Sequence, residues 1–128
     1  MRRLLLDTHT FLWWLTDSKN LGKNSRALIK DSKNFIFFSA ASGWEISIKK
    51  SLGKLEAPEG MDNIVEEEGF ERLSISVFHA ERAGALPLIH RDPFDRMLIA
   101  QAQAEGLEII TADEIIPQYG INTINAAA

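Results

Sequence analysis

"RRLLLDTHTFLWWL" (Arg2–Leu15) is the stretch from which the fold can be read. Three leucines in a row, closed by Asp7, predict a short strand buried on both faces, since a strand with one wet face would alternate apolar and polar residues. "THTFLWWLTD" (8–17) follows without a glycine or proline and predicts a helix. Outward from this pair the alternation repeats. A short helix is expected in "NLGKNSRALIKDS" (20–32), a buried aromatic strand in "NFIFFSA" (34–40), and a helix in "ASGWEISIKKSLGKL" (41–55) that Gly53 can stop. After a loop at Pro58 and Gly60, "MDNIVEEEGF" (61–70) predicts a short amphipathic helix, "ERLSIS" (71–76) a strand and "VFHAERAGALP" (77–87) a helix closed by Pro87. "HRDPFDRMLIAQAQAEG" (90–106) predicts the next helix. "LEIITAD" (107–113) predicts a strand ending again in an acid, "EIIPQYG" (114–120) a short helix and "INTIN" (121–125) a last strand. Strands alternating with helices imply an α/β fold, a three-layer α/β/α sandwich around a mainly parallel sheet. Residues 1–128 form a single domain, without repeat or linker. The "EEE" at Glu66–Glu68 is expected on a solvated face, and the tail "NAAA" is expected to fray.

Composition narrows the chemistry. No cysteine is present, which excludes disulfides, thiolate metal sites and cysteine nucleophiles and fits a cytoplasmic location. "MRRLLLD" is too short and too soon charged for a signal peptide, and no apolar run is long enough to cross a membrane. The formal net charge of −4 would not attract nucleic acid, so binding it would require local cations or bound metal.

Four acids stand where such a metal could bind. Asp7 and Asp113 both end strands, and in a parallel sheet both project at the same edge, where ligands bind. Glu45 lies on an apolar helical stripe with Ile48 and Leu52, and Asp95 shares a face with Leu98, Ile99 and Ala102. Both are read as first-turn, inward-facing acids. Each also has a local explanation. Asp92 before Pro93 is an N-cap signature, and that role is preferred over ligation for Asp92. Asp95 suits the dipole of its helix, and Asp7 and Asp113 can cap the helices that follow them. Taken together, four carboxylates in one cleft would repel one another, and a hard divalent cation, Mg²⁺ or Mn²⁺, would relieve that repulsion. An all-carboxylate site of this kind points to phosphate chemistry.

At these residues the sequence resembles the PIN-domain ribonucleases of the VapC type, the toxin half of type II toxin–antitoxin pairs. The matching strings are "LLLDTHTFLWWL", "SAASGWEISIKKSLGKL", "HRDPFDRMLIAQAQAEGLEIITAD" and the closing "YGI". Gly43, before "WEI", stands where the family has a larger residue. The resemblance implies an α/β/α sandwich and metal-dependent hydrolysis of RNA. It carries the site to Asp7, Glu45, Asp95 in "D-x-x-[LI]-I-A", and Asp113, and gives products with 5′-phosphate and 3′-hydroxyl ends. Thr111 is expected to orient a ligand or water. The implied cofactor is Mg²⁺ or Mn²⁺. The implied partners are an RNA substrate, a cognate antitoxin whose tail offers a cation to the acids, and a second copy of the chain in a homodimer.

Lys49, Lys50 and Arg96 are candidates for RNA phosphate, against the simpler reading that they are solvated or pair with acids. Lys54 and Arg91 are weighed in the same way. His9, His79 and His90 receive no role. Of the adjacent Trp13 and Trp14, one is expected in the core and the other partly exposed as a partner surface. An aspartyl-phosphate hydrolase is rejected because Asp7 is followed by "TH" rather than a second acid two residues on. A receiver domain lacks its mid-sheet acid and late lysine. The remaining alternative is a PIN module that binds RNA or protein without cutting.

Overall fold

In the computed structural model, which describes residues 1–128, the leucine run forms β1 (Arg3–Leu6), the middle of a five-stranded sheet. α1 (Thr8–Leu15) and α2 (Lys23–Lys30) lead to β2 (Phe35–Ser39), α3 (Ala40–Ser51) and α4 (Met61–Glu67). β3 (Glu71–Leu73), α5 (Val77–Ala85), α6 (Pro93–Glu105), β4 (Glu108–Thr111) and β5 (Thr123–Asn125) complete the chain. The strand order is β3-β2-β1-β4-β5, and every pairing is parallel. Leu5 aligns with Phe37 on one side and Ile109 on the other.

The strand sequences explain this order. Central parallel strands are covered on both faces and carry continuous apolar runs, as in Leu4–Leu6 and Ile109–Ile110, whereas the edge strands "ERL" and "TIN" are short and polar. Alternate side chains separate the two halves of the core. Leu4, Leu6, Ile36, Phe38 and Ile110 pack on one face with Phe11, Ile29 and Val65 from α1, α2 and α4. Leu5 and Ile109 pack on the other with Leu98, Ile99 and Ala102 of α6. α3 joins both, through Ile46 on the first face and Ala41 on the second. The fold is therefore the expected three-layer α/β/α sandwich.

Several local expectations change. "EIIPQYG" forms only a 3-10 turn, Ile116–Tyr119, which Gly120 closes in the left-handed conformation with its N–H on the Pro117 carbonyl. Trp13 and Trp14 are both half-buried against the first core cluster, and the exposed tryptophan is Trp44, at 62%. Leu52 is 60% exposed, so the apolar stripe assigned to Glu45 ends before it. The tail does not fray. Ala126 is fully buried and exchanges backbone hydrogen bonds with Gly22 and Thr111, while Ser25 donates its N–H to the Ala128 carbonyl. This docking accounts for Gly22, where any Cβ would overlap the Ala128 carbonyl.

No helix is long and apolar enough to cross a membrane. The topology also places the site. The chain runs outward from β1 through β2 to β3, then returns to β4 on the other side of β1 and continues to β5. The direction of winding reverses between β1 and β4, and in open parallel sheets the crevice beyond the strand ends opens at such a reversal.

Candidate active site

Asp7 follows the last residue of β1 at this reversal and is 5% exposed. It is the N-cap of α1, where Oδ1 accepts the Thr10 N–H at 2.9 Å. Across the seam, Thr111 Oγ1 of β4 donates to Asp7 Oδ2 at 2.5 Å, so Thr111 orients a site carboxylate. Burial raises the Asp7 pKa, and the hydrogen bonds from Thr10 and Thr111 oppose that shift.

Asp113 lies two residues beyond β4. Its N–H donates to Thr111 Oγ1 at 3.0 Å, and its Oδ2 accepts from the N–H groups of Ile115 and Ile116 at 3.0 and 2.8 Å. One threonine hydroxyl thus ties together the loops that carry two of the acids.

Glu45 is 4% exposed and lies in the second turn of α3, not the first, because Ser39 caps the helix directly at the end of β2. Neither a helix cap nor the helix dipole explains an acid there. Thr8 Oγ1 donates to its Oε1 at 2.6 Å, and Lys49 Nζ donates to its Oε2 at 2.5 Å. The Glu45 carboxylate raises the Lys49 pKa, and Asp92 and Asp95 act in the same sense.

Asp92 caps α6 as its sequence predicts, accepting the Phe94 and Asp95 N–H groups at 2.8 and 3.0 Å, with Pro93 at the first helical position. Asp95, one turn on, faces into the site. Its pKa is pushed up to about 8, first by burial, then by the charges of Asp92, Asp7, Asp113 and Glu45.

These five acids line one cavity of about 310 Å³ together with Thr8, His9, Trp13, Lys49 and Ala112. The predicted residues Asp7, Glu45, Asp95 and Asp113 therefore meet, with Asp92 and Lys49 at the same cavity. Lys50 and Arg96 do not line it. Lys50 pairs with Glu59 at 2.8 Å beside a different hollow. Arg96 donates to the carbonyls of Ala83, Leu86, Pro87 and His90, so its guanidinium holds the chain together rather than presenting itself to a ligand.

One residue given no role from the sequence belongs here. His90 is 7% exposed, with Nε2 3.0 Å from Asp95 Oδ2 and 3.3 Å from Asp113 Oδ2. Ligand-type atoms of His90, Asp95 and Asp113 all lie within 4.8 Å of one another. The only signal in the sequence was its place two residues before the cap at Asp92. His79 is structural, completing a capping box with Ser76 and contacting Glu105 at 2.9 Å.

Similar proteins share this arrangement of strands and helices. The chain is similar to Ribonuclease VapC16 of Mycobacterium tuberculosis (strain ATCC 25618 / H37Rv), at 39% identity over 69 residues covering 49% of each sequence, so the match spans about half the length of that relative. A crystal structure of VapBC2 from Rickettsia felis, bound to a DNA fragment from their promoter, superposes with TM-score 0.65 and 18% identity over 96% of this chain and 98% of that one. A toxin-antitoxin complex from Klebsiella pneumoniae superposes with TM-score 0.65 and 22% identity over 96% and 97%. At such identities the structures establish the fold. The PIN domain family model matches residues 4–122, so the chain belongs to the PIN domain family.

Proposed function

We propose that this protein is an Mg²⁺- or Mn²⁺-dependent endoribonuclease, the toxin of a toxin–antitoxin pair, acting as a single domain. The observation that carries the reading is the convergence of Asp7, Glu45, Asp95 and Asp113 from four separate parts of the chain on one cavity. Phosphodiester oxygens would be repelled by such a cavity unless a cation stood between them and the acids.

The donor set fits a hard divalent ion. It offers carboxylate oxygens and no thiolate, and burial together with the charges of Asp92, Asp7, Asp113 and Glu45 pushes Asp95 up to about 8; a doubly charged ion would offset the part due to repulsion. Asp7, Glu45, Asp95 and Asp113 are the residues that would hold it. When bound, such an ion neutralises phosphate charge and makes hydroxide available near neutral pH for in-line attack.

The protein's own residues supply the rest. Thr111 and the Thr10 N–H fix the Asp7 carboxylate from both oxygens, and Thr8 fixes Glu45, so the donors are held in place before a substrate arrives. Asp95, whose carboxyl is pushed up to about 8, would have to give up its proton to serve as a ligand. Lys49 carries the cation placed to meet a substrate phosphate, and it already balances Glu45. No side-chain nucleophile is required.

The proposed antitoxin is a partner with a basic segment, complementary to a cavity that five acids line. A homodimer is proposed as well. The VapBC and toxin–antitoxin names of the structural neighbours support the partner reading.

The test is cleavage of a mixed RNA pool by the purified protein in Mg²⁺ or Mn²⁺, with EDTA and Asp95→Asn as controls. Cleavage abolished by both controls is expected. RNA binding without cleavage in either metal would establish instead a non-catalytic binding module.

A further inference from the structure

We propose that His90 is the positioning residue of the acid site: its Nε2–H stands between the Asp95 and Asp113 carboxylates and sets the spacing at which they receive a divalent cation. The inference rests on the cation-site reading above.

His90 Nε2 is the one buried side-chain nitrogen or oxygen in the protein without a hydrogen-bond partner. It lies within reach of Asp95 Oδ2 and Asp113 Oδ2, at 3.0 and 3.3 Å, yet neither contact has hydrogen-bonding geometry. A buried polar atom left unmatched costs stability, so its placement needs a reason. The other ring nitrogen shows which role is available. Nδ1 accepts the Asp92 N–H at 3.2 Å, which leaves Nε2 carrying the proton. An imidazole that ligates a metal through Nε2 has a protonated Nδ1 donating to an acceptor. Here Nδ1 faces a donor, so His90 is arranged to give a hydrogen bond, not to take a metal.

The backbone that carries the ring is held from several directions. Arg96, one residue after Asp95 on α6, donates to the His90 carbonyl at 3.2 Å and to the Pro87 carbonyl at 3.1 Å. The Tyr119 hydroxyl accepts the His90 N–H at 2.7 Å and donates to the Pro87 carbonyl at 2.7 Å. Arg96 and Tyr119 thus brace the loop before α6 from both sides and deliver the Nε2–H between two acids. Donors that hold ligating carboxylates from behind strengthen metal binding by orienting them. Once both carboxylates are ionised around a cation, the same N–H meets fully charged acceptors, with which hydrogen bonds are shorter and stronger.

The experiment measures Mn²⁺ affinity and nitrogen coupling by electron paramagnetic resonance in the full chain, His90→Ala and His90→Gln, with folding followed by circular dichroism. His90→Ala is expected to weaken Mn²⁺ binding by about tenfold to a hundredfold. His90→Gln keeps an N–H at the reach of the imidazole Nε2 and is expected to restore most of the loss. Bound Mn²⁺ in the unsubstituted protein is expected to show no histidine nitrogen coupling, a result that stands even where a variant does not fold. Unchanged affinity in His90→Ala, failure of His90→Gln to restore it, or histidine coupling in the unsubstituted protein each overturns the positioning role. No Mn²⁺ binding by the unsubstituted protein overturns the cation site itself, a distinct result.

Discussion

Thr111 and Asp7 are 104 positions apart in the chain, yet the threonine hydroxyl donates to the carboxylate at 2.5 Å across the seam between β1 and β4. The bond exists because those strands are parallel neighbours, with Leu6 aligned on Ile110. It locks one acid of the site to the strand whose loop carries another. Asp7→Asn or Asp95→Asn should abolish RNA cleavage and leave the circular dichroism spectrum unchanged. Thr111→Val keeps every acid but frees Asp7 Oδ2, and it should lower cleavage about tenfold, as loss of an orienting partner does. Full activity in either acid variant would refute the assignment.

Stability should depend on pH through Asp95. Its carboxyl, ordinarily at 3.8, is pushed up to about 8 in the folded protein. Between those values the folded chain keeps a proton that the unfolded chain has released, so stability falls as pH rises. The contribution is complete below the ordinary carboxyl range and is lost as pH passes through about 8. In EDTA, melting temperature should therefore decline toward pH 8, and Asp95→Asn should flatten the decline. Mg²⁺ should stabilise most at the alkaline end. Differential scanning fluorimetry across this range, with and without metal, makes the measurement. A slope equal in protein and variant would count against a buried, repelled Asp95.

Lys49 gives Glu45 its counter-charge without metal, at 2.5 Å. Lys49→Met should lower the metal-free melting temperature by an amount corresponding to about 1 kcal/mol, since the ammonium is partly solvated while its partner is buried. The increase on adding Mg²⁺ should be larger in this variant, because the ion then meets an uncompensated acid. Filter binding of single-stranded RNA to an Asp95→Asn background should weaken when Lys49→Met is added. Unaltered RNA binding would show that Lys49 serves Glu45 alone.

Gly22 tests the docked tail. Gly22→Ala sets a methyl against the Ala128 carbonyl and should destabilise the protein by about 1–3 kcal/mol, the range for overpacking. Removing Ala127 and Ala128 should relieve most of the added cost, although it sacrifices the Ser25 to Ala128 bond. Urea melts of the four combinations separate steric overlap from loss of contacts. An equal penalty with and without the tail would show that the clash is not what Gly22 avoids.

Much of the fold was legible because its causes are local. Leu4–Leu6 and Ile109–Ile110 are continuous apolar runs, the form that strands covered on both faces take. Asp92 before Pro93 announced a helix start that the structure contains. The acids that proved to share a cavity were found from strand ends and from helical spacing. The departures depend on how elements join and pack. Glu45 fell in the second turn because α3 begins without a loop after β2, and the "NAAA" tail is ordered by a groove around Gly22 that only the assembled fold creates.

By itself the sequence determined which segments become strands and helices, and which acids stand at their ends, because periodicity and capping act over a few residues. Tertiary structure decided what those acids meet. The order β3-β2-β1-β4-β5 sets Asp7 beside Thr111, and the packing of the helices brings Glu45, Lys49 and Asp95 to the same cavity as Asp113. It also brings His90 against Asp95 and Asp113. Side-chain direction and long-range distance follow from strand pairing and helix packing, which no short stretch of sequence contains.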